Sequence, residues 1–212
     1  MDINRVLEKS FERLKTFDVN KILPALKYAN EGAVIDVLNK RETGEDCLNY
    51  QWWPCFIDEL KPKQIVELGS AMGVGDICML HADYQDFKLY GITLEEGGLE
   101  FSYVEKDKYP NFFPTVGDDL DLSVWPKDLD LSKTDLWYID SLHTEDQLRK
   151  ELDLYKQFFS PGVIIVFDDI FQNPGMATVW HDLENILPIK EKIDLTPRGL
   201  HFTGYGLIQI EE

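Results

Sequence analysis

The sequence is poor in cysteine and in basic residues, and it has no long apolar run. Its three cysteines, Cys47, Cys55 and Cys78, make no CxxC pair and no even set. That excludes a disulfide framework and reads as reduced thiols in a cytoplasmic protein. No apolar stretch approaches the roughly 18 residues of a membrane span. The opening Met1-Asp2-Ile3-Asn4-Arg5 lacks the apolar centre of a secretory signal. Lys and Arg total 21 against 39 Asp and Glu, a formal net charge of −18. So acidic a surface repels nucleic acid and anionic membranes, and neither is expected as a partner, although divalent cations are attracted. There is no internal repeat and no low-complexity linker, and 212 residues fit one domain more readily than two.

What is present is globular: 44% hydrophobic and 12% aromatic residues, enough for a sizeable core. Ile3, Leu7, Phe11 and Leu14 recur at helical spacing. A second helix is expected over 21–29, broken at Asn30-Glu31-Gly32, and a third over 33–38. Residues 41–46 read as an exposed loop and 50–60 as a helix entering the core. Residues 1–45 are thus expected to be a helical extension, a cap or lid, ahead of an α/β domain over 46–212.

From residue 64 the pattern changes. Apolar runs at 64–68, 88–94, 112–116, 136–139 and 163–167 alternate with helical or loop segments. Continuous apolar strands separated by helices imply a parallel sheet covered on both faces, a doubly wound Rossmann-like arrangement. After the fourth run, Thr144 and Gln147 form a capping-box pattern, and Leu148, Leu152, Tyr155 and Phe159 share one helical face. Further on, 176–186 reads as a helix and 190–194 and 201–210 as strands. These last two lie too close together for a crossover helix, so they predict an antiparallel hairpin at one sheet edge, for about seven strands in all.

The first strand runs into Glu67-Leu68-Gly69-Ser70-Ala71-Met72-Gly73-Val74-Gly75. Glycines there permit a sharp turn into a helix and close approach of backbone to a ligand. The spacing is neither G-x-G-x-x-G nor a P-loop, and a tight turn needs the same glycines with no ligand at all. The run resembles motif I of class I S-adenosylmethionine-dependent methyltransferases, and the order of parts from about residue 50 onward is similar to that family. The resemblance implies that Glu67, Gly69, Ser70, Gly73 and Gly75 hold the amino acid end of S-adenosylmethionine. It also implies an acid for the ribose hydroxyls, for which Glu95 is the first choice because Thr93 stands where aspartate is common. Asp118 would meet the adenine amine.

The strongest chemistry follows strands four and five, at Asp140-Ser141-Leu142-His143 and Asp168-Asp169. On one rim of a parallel sheet, Asp140 would face Asp168 and Asp169. Three converging carboxylates repel, and a divalent cation removes that cost. Oxygen ligands suit Mg²⁺ first, with Mn²⁺ and Ca²⁺ open. Neutral His143 would accept a proton from a hydroxyl that the metal polarises. The arrangement resembles metal-dependent O-methyltransferases of the macrocin, mycinamicin and catechol types. That resemblance implies Asp140, Asp168 and Asp169 as metal ligands, with Asp140 also bordering the cofactor, and His143 as base. Ser141 and Leu142 depart from the glycine and small polar residue common there. The function expected is methylation of a small-molecule hydroxyl on a sugar, a polyol or a phenol. The rivals are a silent cofactor-binding scaffold or sensor and a metal-dependent hydrolase or hydroxylase-like relative. A homo-oligomer is left open.

Overall fold

The computed structural model describes residues 1–26, 34, 37–38, 48–95 and 97–211. Seven strands form one sheet: β1 (Gln64–Leu68), β2 (Lys88–Thr93), β3 (Phe112–Val116), β4 (Leu136–Ile139), β5 (Ile164–Asp168), β6 (Ile189–Asp194) and β7 (Tyr205–Ile210). Their spatial order is β3-β2-β1-β4-β5-β7-β6. The first five are parallel, while β7 pairs antiparallel with β5 and with β6, as the expected edge hairpin requires. The chain reverses direction across the sheet between β1 and β4, so both halves of the fold open onto one crevice at the carboxyl ends of the strands.

Strand periodicity explains the two cores. Ile65, Leu136, Tyr138, Ile164 and Val166 face one side, with helices α1 (Ile3–Leu14), α2 (Asn49–Leu60) and α3 (Val74–Leu80). Val66, Trp137, Ile139, Ile165 and Phe167 face the other, with α4 (Glu145–Tyr155) and α5 (Pro174–Ile186). A sheet buried on both faces has no polar alternation, which is why its strands appear in the sequence as continuous apolar runs. Cys55 and Cys78 are free and buried, Cys78 within the first core, and Cys47 lies outside the described residues.

Three expectations need correction. The described part of the helix expected over 21–29 is a pair of 3₁₀ turns, Val19–Lys21 and Leu23–Leu26. Pro24 has no N–H for an α-helical bond there. The last strand begins at Tyr205 rather than His201, because Gly204 takes φ +103° and turns 201–203 out of the ladder. Thr144 Oγ accepts the Gln147 N–H at 3.3 Å as expected of a cap. The Gln147 side chain does not close the box, however, and turns instead to Asp119 and Glu151.

Residues 1–26 are a layer over α2. Trp52 Nε1 donates to Ser10 Oγ at 2.9 Å, and Arg13 pairs with Asp58 and Glu59. The break at 30–32, the loop at 41–46 and the boundary at 45–46 lie outside the described residues, as does most of the helix expected over 33–38.

Candidate active site

The turn after β1 is built by backbone. Gly69 has φ +94°, and a side chain there would overlap the Asp140 carbonyl. Gly73, at φ +93°, starts α3 in the left-handed region. A Cβ on Gly75 would lie 2.7 Å from Glu67 Oε1, so glycine lets α3 settle onto that carboxyl. Glu67 is buried, and burial followed by the neighbouring Asp76 charge pushes its pKa well above the usual carboxylate range. Asp76 is pushed up to about 7 by burial, partly offset by hydrogen bonds from Glu67 and Ser70. Glu67 Oε2 and Asp76 Oδ2 receive no N–H or hydroxyl donor. Ser70 turns its hydroxyl down to Asp76 at 3.4 Å.

A cavity of about 340 Å³ opens beside this turn, walled by Gly69, Thr93, Leu94, Asp118, Asp140 and Gln147 among others. Its size and mixed walls suit an organic cofactor, with Glu67 and Asp76 buried beneath the adjoining glycine turn. Glu95 lies two residues beyond β2 and is exposed, while the wall there is Thr93 and Leu94. Asp118 is exposed on the wall and accepts the Leu120 N–H at 2.9 Å.

At the ends of β4 and β5 the side chains build the site. His143 lies 3.0 Å from Asp140 Oδ1 through Nε2 and 2.7 Å from Asp169 Oδ2 through Nδ1. His201 Nδ1 lies 3.1 Å from Asp168 Oδ1 and 3.1 Å from Asp169 Oδ1. Thr203 Oγ1 donates to Asp169 as well. Tyr138, buried below, donates to Asp140 Oδ2 at 2.9 Å and reaches Asp168 Oδ2 at 3.5 Å. Asp169 is held at φ +56°, a strained position for a residue with a side chain.

This geometry sets the charges. Burial alone would lower the pKa of His143, but its bonds to Asp140 and Asp169 outweigh that and raise it to about 10. Both ring nitrogens face carboxylates, which favours the protonated form of the ring. Asp140 is pushed up to about 7 by burial and by the Asp168 charge. Asp169 goes the other way: burial would raise it, but donors from His143, His201 and Thr203 hold it well below the usual range.

Asp168, Asp169 and His201 offer donor atoms all within 4.8 Å of one another, a set that fits a divalent cation. An imidazole among them suits Mn²⁺ and later metals better than the all-oxygen set expected for Mg²⁺. Asp140 stands outside that compact group and is joined to it through His143 and Tyr138. The charge argument from three carboxylates also changes, since two histidines stand among them. The sequence alone gives no role to His201, Thr203 or Tyr138. Positions 201 and 203 fall within an expected strand, and the local signal is Gly204, where a side chain would clash with Ile170 and Phe171.

Residues 66–170 match the family model described as a methyltransferase domain. No curated protein matches the chain. Among solved structures, the chain is similar to a putative caffeoyl-CoA O-methyltransferase from Staphylococcus aureus, at 14% identity and TM-score 0.59 over 91% of this chain and 100% of that one. It is similar to the O-methyltransferase TomG of Streptomyces achromogenes in complex with S-adenosylmethionine, at 15% identity and TM-score 0.58 over 91% and 90%. A Bacillus cereus O-methyltransferase bound to S-adenosylhomocysteine aligns at 12% identity and TM-score 0.57 over 93% and 100%. Residues 66–170 thus match a methyltransferase domain, carried on a strand order and a glycine turn that agree with the resemblance read from the sequence.

Proposed function

We propose that the protein transfers the methyl group of S-adenosylmethionine to a hydroxyl oxygen of a small molecule, with a divalent cation seated at Asp168, Asp169 and His201. One observation carries the reading. Asp140 belongs to the cofactor cavity and is at the same time hydrogen-bonded to His143, so the cofactor site and the acid–histidine cluster are continuous. The ammonium of the cofactor's amino acid end is the donor that Glu67 lacks. When bound, the cation would lower the pKa of an acceptor hydroxyl. His143 takes the hydroxyl proton in its neutral form, and anything that draws charge from Asp140 or Asp169 favours that form.

Exposed Leu142, Phe171 and Phe202 flank His143, Asp169 and His201 in the chain and suit an acceptor with an apolar ring face beside its hydroxyls. The O-methyltransferase names of the similar solved structures support oxygen as the methylated atom. The net charge of −18 supports a small acceptor rather than nucleic acid or an anionic membrane. No helix among the described residues is long and apolar enough to cross a membrane.

The test is incubation with S-adenosylmethionine and a panel of phenols, polyols and sugars, with Mn²⁺, with Mg²⁺ and with chelator. Formation of S-adenosylhomocysteine together with a methyl ether in the metal arms supports the reading. Cofactor binding without turnover in any arm favours the silent-scaffold alternative.

A further inference from the structure

Tyr138 lies two residues before Asp140 in the chain. The Asp140 N–H still pairs with the Leu68 carbonyl of β1, so the backbone is extended through it and the two side chains share one face of the sheet. The β4–β5 register sets Tyr138 opposite Val166 and Ile139 opposite Phe167, which carries Asp140 alongside Asp168. The Tyr138 ring is fully buried. Trp53 packs edge-on against it with centroids 4.7 Å apart, and Tyr205 lies tilted beside it at 6.2 Å. A ring so held keeps its direction, and its hydroxyl meets the rim from below. It donates to Asp140 Oδ2 at 2.9 Å and lies 3.5 Å from Asp168 Oδ2. The Oδ1 atoms have partners of their own. Asp140 Oδ1 lies 3.0 Å from His143 Nε2, and Asp168 Oδ1 accepts the Asp169 N–H at 2.9 Å. Two carboxylates from neighbouring strands thus converge on one phenol.

We infer that Tyr138 is a positioning residue for the cation seat: its hydroxyl holds the Oδ2 atoms of Asp140 and Asp168 together, so that Asp168 keeps the orientation it shares with Asp169 and His201. The inference rests on the cation assignment of the proposed function. It adds to that assignment a residue that is neither in the ligand set nor on the wall of the cofactor cavity. The hydroxyl has a single proton, set between two carboxylate oxygens. Without it those oxygens face each other with no donor between them, and like charges so close repel. Asp168 then turns to widen the gap and carries its oxygens away from the other two donors. Partners behind a metal ligand are typically worth about 10- to 100-fold in metal affinity.

The experiment is titration of Mn²⁺ into the purified chain, read by electron paramagnetic resonance of the free and bound ion. Calorimetric titration of S-adenosylhomocysteine is the reference. Tyr138→Phe keeps the ring between Trp53 and Tyr205 and removes only the hydroxyl. It should weaken Mn²⁺ binding by about 10-fold or more. It should also change the spectrum of the bound ion, which a merely structural role would leave alone, while S-adenosylhomocysteine affinity stays within about threefold. Tyr205→Phe removes a neighbouring buried hydroxyl that has no hydrogen-bond partner among the described residues, and should leave Mn²⁺ affinity within about threefold. If Tyr138→Phe does not fold, 3-fluorotyrosine in place of Tyr138 decides. Its fluorine resonance should move when diamagnetic Zn²⁺ is added, and an unmoved resonance overturns the proposal. A loss of Mn²⁺ affinity beyond about threefold, confined to Tyr138→Phe, supports it. A smaller loss, an equal loss in Tyr205→Phe or a parallel loss of S-adenosylhomocysteine affinity overturns it with the cation assignment standing. A wild type that binds no Mn²⁺ overturns both.

Discussion

The two halves of the rim are built from different materials. At β1 the shape is set by backbone: glycines at left-handed φ, a helix resting on Glu67, and, among the described residues, no cation paired with the buried acids Glu67 and Asp76. At β4 and β5 the shape is set by side chains, with two histidines interleaved among three aspartates. The first half sets two buried acids against each other, and the second sets histidines between its acids. A site that must receive a cationic ligand gains from acids lacking donors. A site that must move a proton gains from groups already exchanging one.

If that division holds, damage to each half should be separable. The largest effect is expected from His143→Ala. Turnover should fall by roughly 10²–10⁴-fold, the usual share of general acid–base catalysis, while affinity for S-adenosylhomocysteine stays within about threefold. Single-turnover methyl transfer reads the first and calorimetry the second. A rate within about threefold of wild type would take His143 out of the mechanism. Next is Gly69→Val, whose side chain would overlap the Asp140 carbonyl. Displacing that turn should cost about 100-fold or more in cofactor affinity, and unchanged affinity in the folded variant would dissociate the turn from the cofactor.

A smaller effect is expected from metal. Mn²⁺ at about 100 times its dissociation constant should stabilise the protein by about 2.7 kcal/mol, read as a rise in Tm. Asp168→Asn should remove most of that rise. No shift in wild type with either Mn²⁺ or Mg²⁺ would leave the histidines as the sole compensation for the aspartates.

The smallest effect concerns pH. Asp76 and Asp140 at about 7, Glu151 at about 8 and His143 at about 10 all bind protons more tightly folded than unfolded. For such groups stability is greatest below the unfolded pKa and declines as pH rises through the folded one. The metal-free protein should therefore lose Tm over about pH 6 to 9. Thermal melts across that range check it, and a rising Tm would contradict the raised pKa values in both halves.

The sequence showed the sheet well, because strands buried on both faces leave no polar interruption, and it showed the glycine turn and the Asp140, His143, Asp168 and Asp169 set. What it hid follows a pattern. His201 lay inside an apparent strand that Gly204 in fact interrupts. Glu151 sits among charged residues of α4 and reads as solvated, yet it is fully buried, bonded by Gln147 and set against Asp119 from the turn after β3. Pro24 broke a helix whose apolar spacing looked regular. Each miss involved a side chain whose partner is distant in the chain, or a backbone turn that periodicity does not register.

The division between the halves is the central claim, and one measurement tests it most directly: titration of S-adenosylhomocysteine into folded His143→Ala and folded Gly69→Val side by side. The account predicts binding near wild type in the first and little or none in the second. Binding lost in His143→Ala and kept in Gly69→Val would contradict it.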